Sequence, residues 1–160
     1  RFYLALILLV VGIFLIYKGL IFEELISPLA PPRPLWSIRS IDTMKYSRDI
    51  AREKINDLSF DPVIDLQVQN IASTGASHIA IATPYDEEFI PFLTRWVQSA
   101  RKYHLKVWFR GNFSGWEKWF DHARITRSEH LDLTTKFITN NPNLFEAGDI
   151  FTPCPECENG

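Results

Sequence analysis

Cysteine, histidine and any large excess of charge of one sign are lacking in this chain, and each lack removes a class of function. The two cysteines, Cys154 and Cys157, form a single CxxC. One such pair is half a zinc site; no second pair exists, and His78, His104, His122 and His130 are scattered without ligand spacing, so no metal is expected. A thioredoxin-like redox motif opens a helix, whereas Cys157 leads into Glu158, Asn159 and Gly160. The pair reads mainly as small residues at a strand end, with a local disulfide permitted outside the cytoplasm. A formal net charge of −2 without a basic stripe argues against a nucleic-acid partner. Glycine-rich phosphate loops are missing too: residues 83–86 and 111–115 match neither dinucleotide nor P-loop spacing, so no nucleotide cofactor is expected. No solenoid repeat is present.

Charge is missing altogether from residues 2–17. With Lys18, whose stem can snorkel, the apolar run reaches Phe22, about 31 Å as a helix at roughly 1.5 Å per residue, enough for a bilayer core of about 30 Å. A buried core helix would show an amphipathic stripe, which this run lacks. A cleaved leader would need a processing site, and the best one, at residues 27–30, is followed at once by Pro31 and Pro32. Residues 1–26 are therefore expected to form an uncleaved single-pass anchor in the lipid bilayer. The flanking charges, Arg1 before it and Lys18, Arg33 and Arg39 after it, leave the orientation open. Four prolines within residues 27–34 predict a semi-rigid polyproline spacer, so 27–36 reads as a linker. Residues 37–160 remain for one domain core.

That domain alternates strands and helices. Strands are predicted over 37–44, 78–83, 106–110 and 149–154. A short helix opened by Ser47 is predicted between the first two, followed by a longer one begun by Asp61 and Pro62 and stopped by Gly75. Phe89, Leu93, Trp96, Ala100 and Tyr103 mark the clearest helix, with Arg95 assigned to its solvent side and Pro91 to its first turn. Thr126 and Glu129 have capping-box spacing before another helix, which Pro142 closes. This order implies parallel strands joined by right-handed crossovers. A doubly wound sheet and a (β/α)8 barrel compete, and the missing phosphate loop counts against the first.

Polar and aromatic residues gather after every strand: Asp42, Lys45 and Arg48, then Tyr85 and Asp86, then Arg110, Asn112 and Trp116, then Glu156 and Glu158. In a barrel all of them share one rim, the catalytic face. The segment KVWFRGNFSGW at 106–116 resembles the third strand of cellulase-like glycoside hydrolases of clan A, where a hydrophobic strand ends in a basic residue and a loop with Asn and Trp follows. The fourth strand resembles theirs as well, since it ends near a Glu and an Asn. Two departures are plain: the basic residue, usually His, is Arg110, and the order is Glu158 then Asn159.

The resemblance covers about residues 37–160 and implies the first four units of a TIM barrel, with the nucleophilic carboxylate of the seventh strand beyond Gly160. It implies Glu158 as general acid/base. Alternation along a strand puts Glu156 on the same side, so spacing does not choose between them. Arg110, Asn112, Trp116, Asn159, Tyr85 and Asp42 are the candidate substrate-binding residues, and the expected partner is a poly- or oligosaccharide. Two readings follow: an anchored, extracytoplasmic glycosidase working by paired carboxylates, and a non-catalytic barrel that binds carbohydrate or a partner protein with the same rim.

Overall fold

The computed structural model describes residues 36–113 and 121–155. The chain divides into two compact units, Arg1–Leu35 and Trp36–Gly160, and every described residue belongs to the second. Among the described residues no helix is long and apolar enough to cross a membrane; the anchor expected over 1–26 lies outside them.

Four parallel strands form one sheet: β1 (Ser40–Asp42), β2 (His78–Ile81), β3 (Lys106–Phe109) and β4 (Ile150–Phe151), in the spatial order β1-β2-β3-β4. Each is shorter than its predicted run; at β2 the apolar stretch continues past the ladder, where Ala82 and Thr83 are buried without being paired as strand. Ile41, Ile79 and Val107 form one register row, and Asp42, Ala80 and Trp108 the next, with Ile150 beside Trp108. Side chains alternate across the sheet, so Ile79, Ile81, Val107, Phe109 and Phe151 share one face and join the core. Ala80, Trp108 and Ile150 share the other.

Among the described residues five helices accompany the sheet: α1 (Met44–Ser47), α2 (Ala51–Lys54), α3 (Asp61–Ser73), α4 (Ile90–Lys102) and α5 (Arg127–Asn140). Two of them differ from expectation. Ser47 ends α1 and does not open a helix, because its buried hydroxyl oxygen accepts the Ala82 N–H at 3.0 Å and its carbonyl accepts the Thr83 hydroxyl at 2.6 Å. Arg95 is not a solvent-side residue: its guanidinium reaches the Lys54 and Asp57 carbonyls at 2.9 and 2.8 Å and pairs with Asp61 at 2.5 Å, pinning the turn before α3 to α4. Local signals held where their partners are local. Pro62 and Pro91 sit in first turns, Gly75 takes φ +79° just after α3, and Thr126 and Glu129 form the reciprocal capping box of α5.

β4 has only two residues, and its approach is secured by a buried ion pair. The Asp149 side chain, 5 % exposed, takes two bonds from Arg101 of α4, at 2.9 and 2.5 Å, and one from the Val107 N–H of β3 at 2.9 Å. Burial alone would raise the Asp149 carboxyl, but the Arg101 fork and the Val107 and Glu146 N–H bonds outweigh it and hold the group below its usual range. Its folded value thus lies under the unfolded one, so the stabilisation is present above about pH 4 and fades as pH falls through the folded value. Asp149→Asn is expected to lower stability by roughly 3 kcal/mol at pH 7. Urea midpoints of the two proteins should converge as pH falls below about 4; a gap that stays constant would show that the charge is irrelevant.

Candidate functional site

Among the described residues the C-terminal ends of the strands carry or are followed by Asp42, Lys45, Arg48, Tyr85, Asp86, Arg110 and Asn112, and two of these meet. Arg110, one residue past β3, donates through Nη1 to Asp42 Oδ2 at 2.6 Å, spanning from β3 to β1 across β2. Two strand spacings are about 9.6 Å, within the combined reach of an extended arginine and an aspartate. The residue between them on that face is Ala80, whose methyl leaves the passage clear. Asp42 is fixed from the other side, since its Oδ1 accepts the Met44 N–H at 2.6 Å at the start of α1.

Arg110 also lies over the Trp108 ring, its guanidinium carbon 5.8 Å from the centroid. The indole is itself oriented, donating from Nε1 to Thr152 Oγ1 at 2.8 Å. Carboxylate, guanidinium and indole thus form one partly exposed group on the sheet face opposite the core, with 31 % of the Arg110 and 34 % of the Asp42 side chain open to solvent. Both charges remain within reach of a ligand. Trp108 was not among the residues singled out from the sequence, although Lys106, Trp108 and Arg110 alternate with the apolar Val107 and Phe109, which is the signal that places an aromatic on the second face.

Tyr85 and Asn112 are placed differently. Tyr85 is 2 % exposed, stacked on Phe137 at 4.4 Å and Phe151 at 5.4 Å, with its hydroxyl donating to the Thr152 carbonyl at 3.1 Å. Burial pushes its phenol above the ordinary tyrosine value, so the group stays a proton donor. Asn112 is buried as well. Its carbonyl accepts the Tyr85 N–H at 2.8 Å, its Oδ1 accepts the Phe113 N–H at 2.8 Å, and its Nδ2 points at Cys154 Sγ, 3.8 Å away. Together these two residues tie the loops after β2, β3 and β4 to one another. Glu156, Glu158, Asn159 and Trp116 lie outside the described residues. Cys154 is disulfide-bonded, and the chain's other cysteine, Cys157, also lies outside them.

A second polar cluster stands at the outer edge of the rim. His122 approaches Glu88 Oε1 with Nε2 at 3.0 Å and Asp86 Oδ1 with Nδ1 at 3.5 Å, while Arg52 clasps both oxygens of Glu88 at 2.9 and 3.3 Å. These bonds draw α2, the turn after β2 and the segment ahead of α5 together. No linear spacing announces the cluster, since its members come from three separate segments. Among the described residues no group of three His, Cys, Asp or Glu side chains is arranged to hold a metal ion.

No family model matches this chain, and no curated protein or solved structure matches it either. An aspartate beside an arginine offers acceptors and donors at neighbouring positions, the pattern that adjacent hydroxyls satisfy, and an indole offers an apolar platform beside them.

The register of this site rests on Gly111. A Cβ there would run into the Thr83 carbonyl oxygen and come within 2.7 Å of the Tyr85 ring. Gly111→Ala is expected to cost about 1–3 kcal/mol by overpacking and to displace Arg110 and Asn112 on either side. Thermal unfolding would show the loss, and proton NMR of the Trp108 indole N–H would show the displacement; a variant unchanged in both would mean that the loops adjust freely.

Proposed function

We propose that the described domain is the N-terminal half of a (β/α)8 barrel belonging to a membrane-anchored, extracytoplasmic glycoside hydrolase that acts on poly- or oligosaccharides. The observation carrying this reading is the Asp42, Arg110 and Trp108 group at the C-terminal ends of sequentially ordered parallel strands. Right-handed crossovers that always step in one direction leave every helix on one face, as in a barrel, whereas a doubly wound sheet reverses its strand order midway. The open face then corresponds to a barrel interior, and its C-terminal end to the face where such enzymes work.

On this reading Arg110 and Asp42 hold vicinal hydroxyls, and Trp108 with Trp116 lines the sugar's path. Glu158 is the general acid/base, protonating the leaving glycosidic oxygen; Glu156 is the alternative. A second carboxylate, supplied by the other half of the barrel, attacks the anomeric carbon. In a retaining enzyme the two stand about 5–5.5 Å apart. A second reading, a barrel that binds carbohydrate without cleaving it, is favoured by one specific feature. Asp42, the rim carboxylate on the open sheet face, is committed to Arg110 and to the Met44 N–H, an arrangement suited to holding a hydroxyl more than to moving a proton.

Binding and turnover separate the readings in the full-length protein. Arg110→Ala removes a charged donor, so oligosaccharide affinity measured by calorimetry should fall roughly 10- to 100-fold. Glu158→Gln should leave affinity nearly intact and slow hydrolysis about 10²- to 10⁴-fold. Binding that depends on Arg110 with no hydrolysis of any glycoside supports the binding module. A protein that neither binds nor cleaves saccharides overturns both.

A further inference from the structure

The domain begins with an apolar lip that its own core does not use. Among the described residues eight large hydrophobic side chains are exposed, and three of them fall within six positions: Trp36 at 73 %, Ile38 at 48 % and Ile41 at 38 %. Arg39, between them, is exposed and makes no ion pair among the described residues. Apolar exposure of this kind, with an indole and a guanidinium three positions apart in the chain, is the composition of a headgroup-layer contact: the indole spans the boundary between acyl chain and water, and the cation meets phosphate.

We propose that Trp36 and Ile38, with Arg39 beside them, seat the domain on the lipid surface that holds the anchor. The inference rests on the reading of residues 2–22 as a bilayer span. The occupant follows from distance. Only thirteen residues separate Phe22 from Trp36, at most about 45 Å of fully extended chain, and the four prolines among them restrict how that length is spent. Tethering makes the contact intramolecular, so an individually weak patch is occupied for much of the time. The lip also stands at the start of β1, and all four strands are parallel. Asp42, Arg110 and Thr152 therefore lie at the far ends of the strands, and seating the lip on lipid turns the candidate site toward bulk solvent, where a polymer can reach it.

Tryptophan fluorescence tests this directly, because Trp36 is the one tryptophan ahead of Trp96 and one of five in the chain. The full chain is placed at one copy per nanodisc of phosphatidylcholine and phosphatidylglycerol, with or without acyl chains brominated near the headgroup. Brominated lipid should quench up to about one fifth of the emission, one tryptophan in five. Trp36→Phe should abolish that quenching, and so should Ile38→Asp, which keeps Trp36 while making the lip polar. Quenching that is absent in the wild type, or that persists in both variants, overturns the proposal. So does quenching that is absent at one copy per disc while Trp36 emission shifts to the blue at two copies, since the lip then covers a second chain. Failure to stay in the membrane after an alkaline wash overturns the anchor itself, a result separate from an anchored chain whose Trp36 stays unquenched.

Discussion

Tyr85 stacks on Phe137 of α5 and Phe151 of β4, and Phe109 and Phe145 close around the same point. The placement of the last strand depends on this aromatic stack. Two register pairs of backbone ladder cannot by themselves hold β4 against fraying at a sheet edge. Each aromatic pair adds about 0.5–1.5 kcal/mol beyond the area it buries, and Phe137 meets Tyr85, Phe145 and Phe151 at once. The Arg101 and Asp149 pair then fixes where the strand begins. β4 is thus held by two constraints, one apolar at its C-terminal side and one ionic at its N-terminal side.

Those constraints also explain why the rim is polar at its surface and rigid at its base. The Tyr85 hydroxyl and the Asn112 Oδ1 are directed at backbone groups, so these residues brace the loops of the rim. Asp42 and Arg110 are the reverse case. A partly exposed ion pair contributes little to stability, about 0–1 kcal/mol, yet this one spans three strands and is braced on the Met44 N–H and the Trp108 ring. A weakly stabilising but well-oriented pair is better explained by what it presents than by what it holds together.

Legibility of the sequence followed the range of the interaction behind each feature. Pro62, Pro91, Gly75 and the Thr126 to Glu129 box were readable because each acts within its own turn. The alternation of strand and helix was readable from apolar periodicity, and the parallel sheet follows from it. Ser47 looked like a helix start because a serine usually caps locally; its actual partner, the Ala82 N–H, is 35 residues away. Arg95 looked solvent-facing for the same reason, since three separate acceptors on the turn before α3 and at its start are invisible to helical spacing. Tyr85 looked like a rim residue because it follows a strand, but its ring partners lie 52 and 66 positions downstream and draw it into the core. Trp108 is legible from alternation, since it shares the less buried side of β3 with Lys106.

The second sheet face sets a further condition on any account of this domain. Ala80 and His78 of β2 are buried there, and Trp108 and Ile150 are half-buried, while β1 and β4 each have one ladder partner among the described residues. A hydrophobic row flanked by unpaired edges is a surface that proteins ordinarily cover or close. Closure into a barrel satisfies the edges and the face together, because strands added at β1 and β4 in the same sense bring their own side chains over Trp108 and Ile150. A helix laid on the open face would cover the apolar row but leave both edges unpaired. It would also press on Arg110 and Asp42, whose solvent-facing lone pairs and N–H groups would then need partners. On the proposed barrel reading, the polar group at the end of the strands would stand at a solvent-filled mouth, the geometry in which an aspartate, an arginine and an indole can meet a ligand.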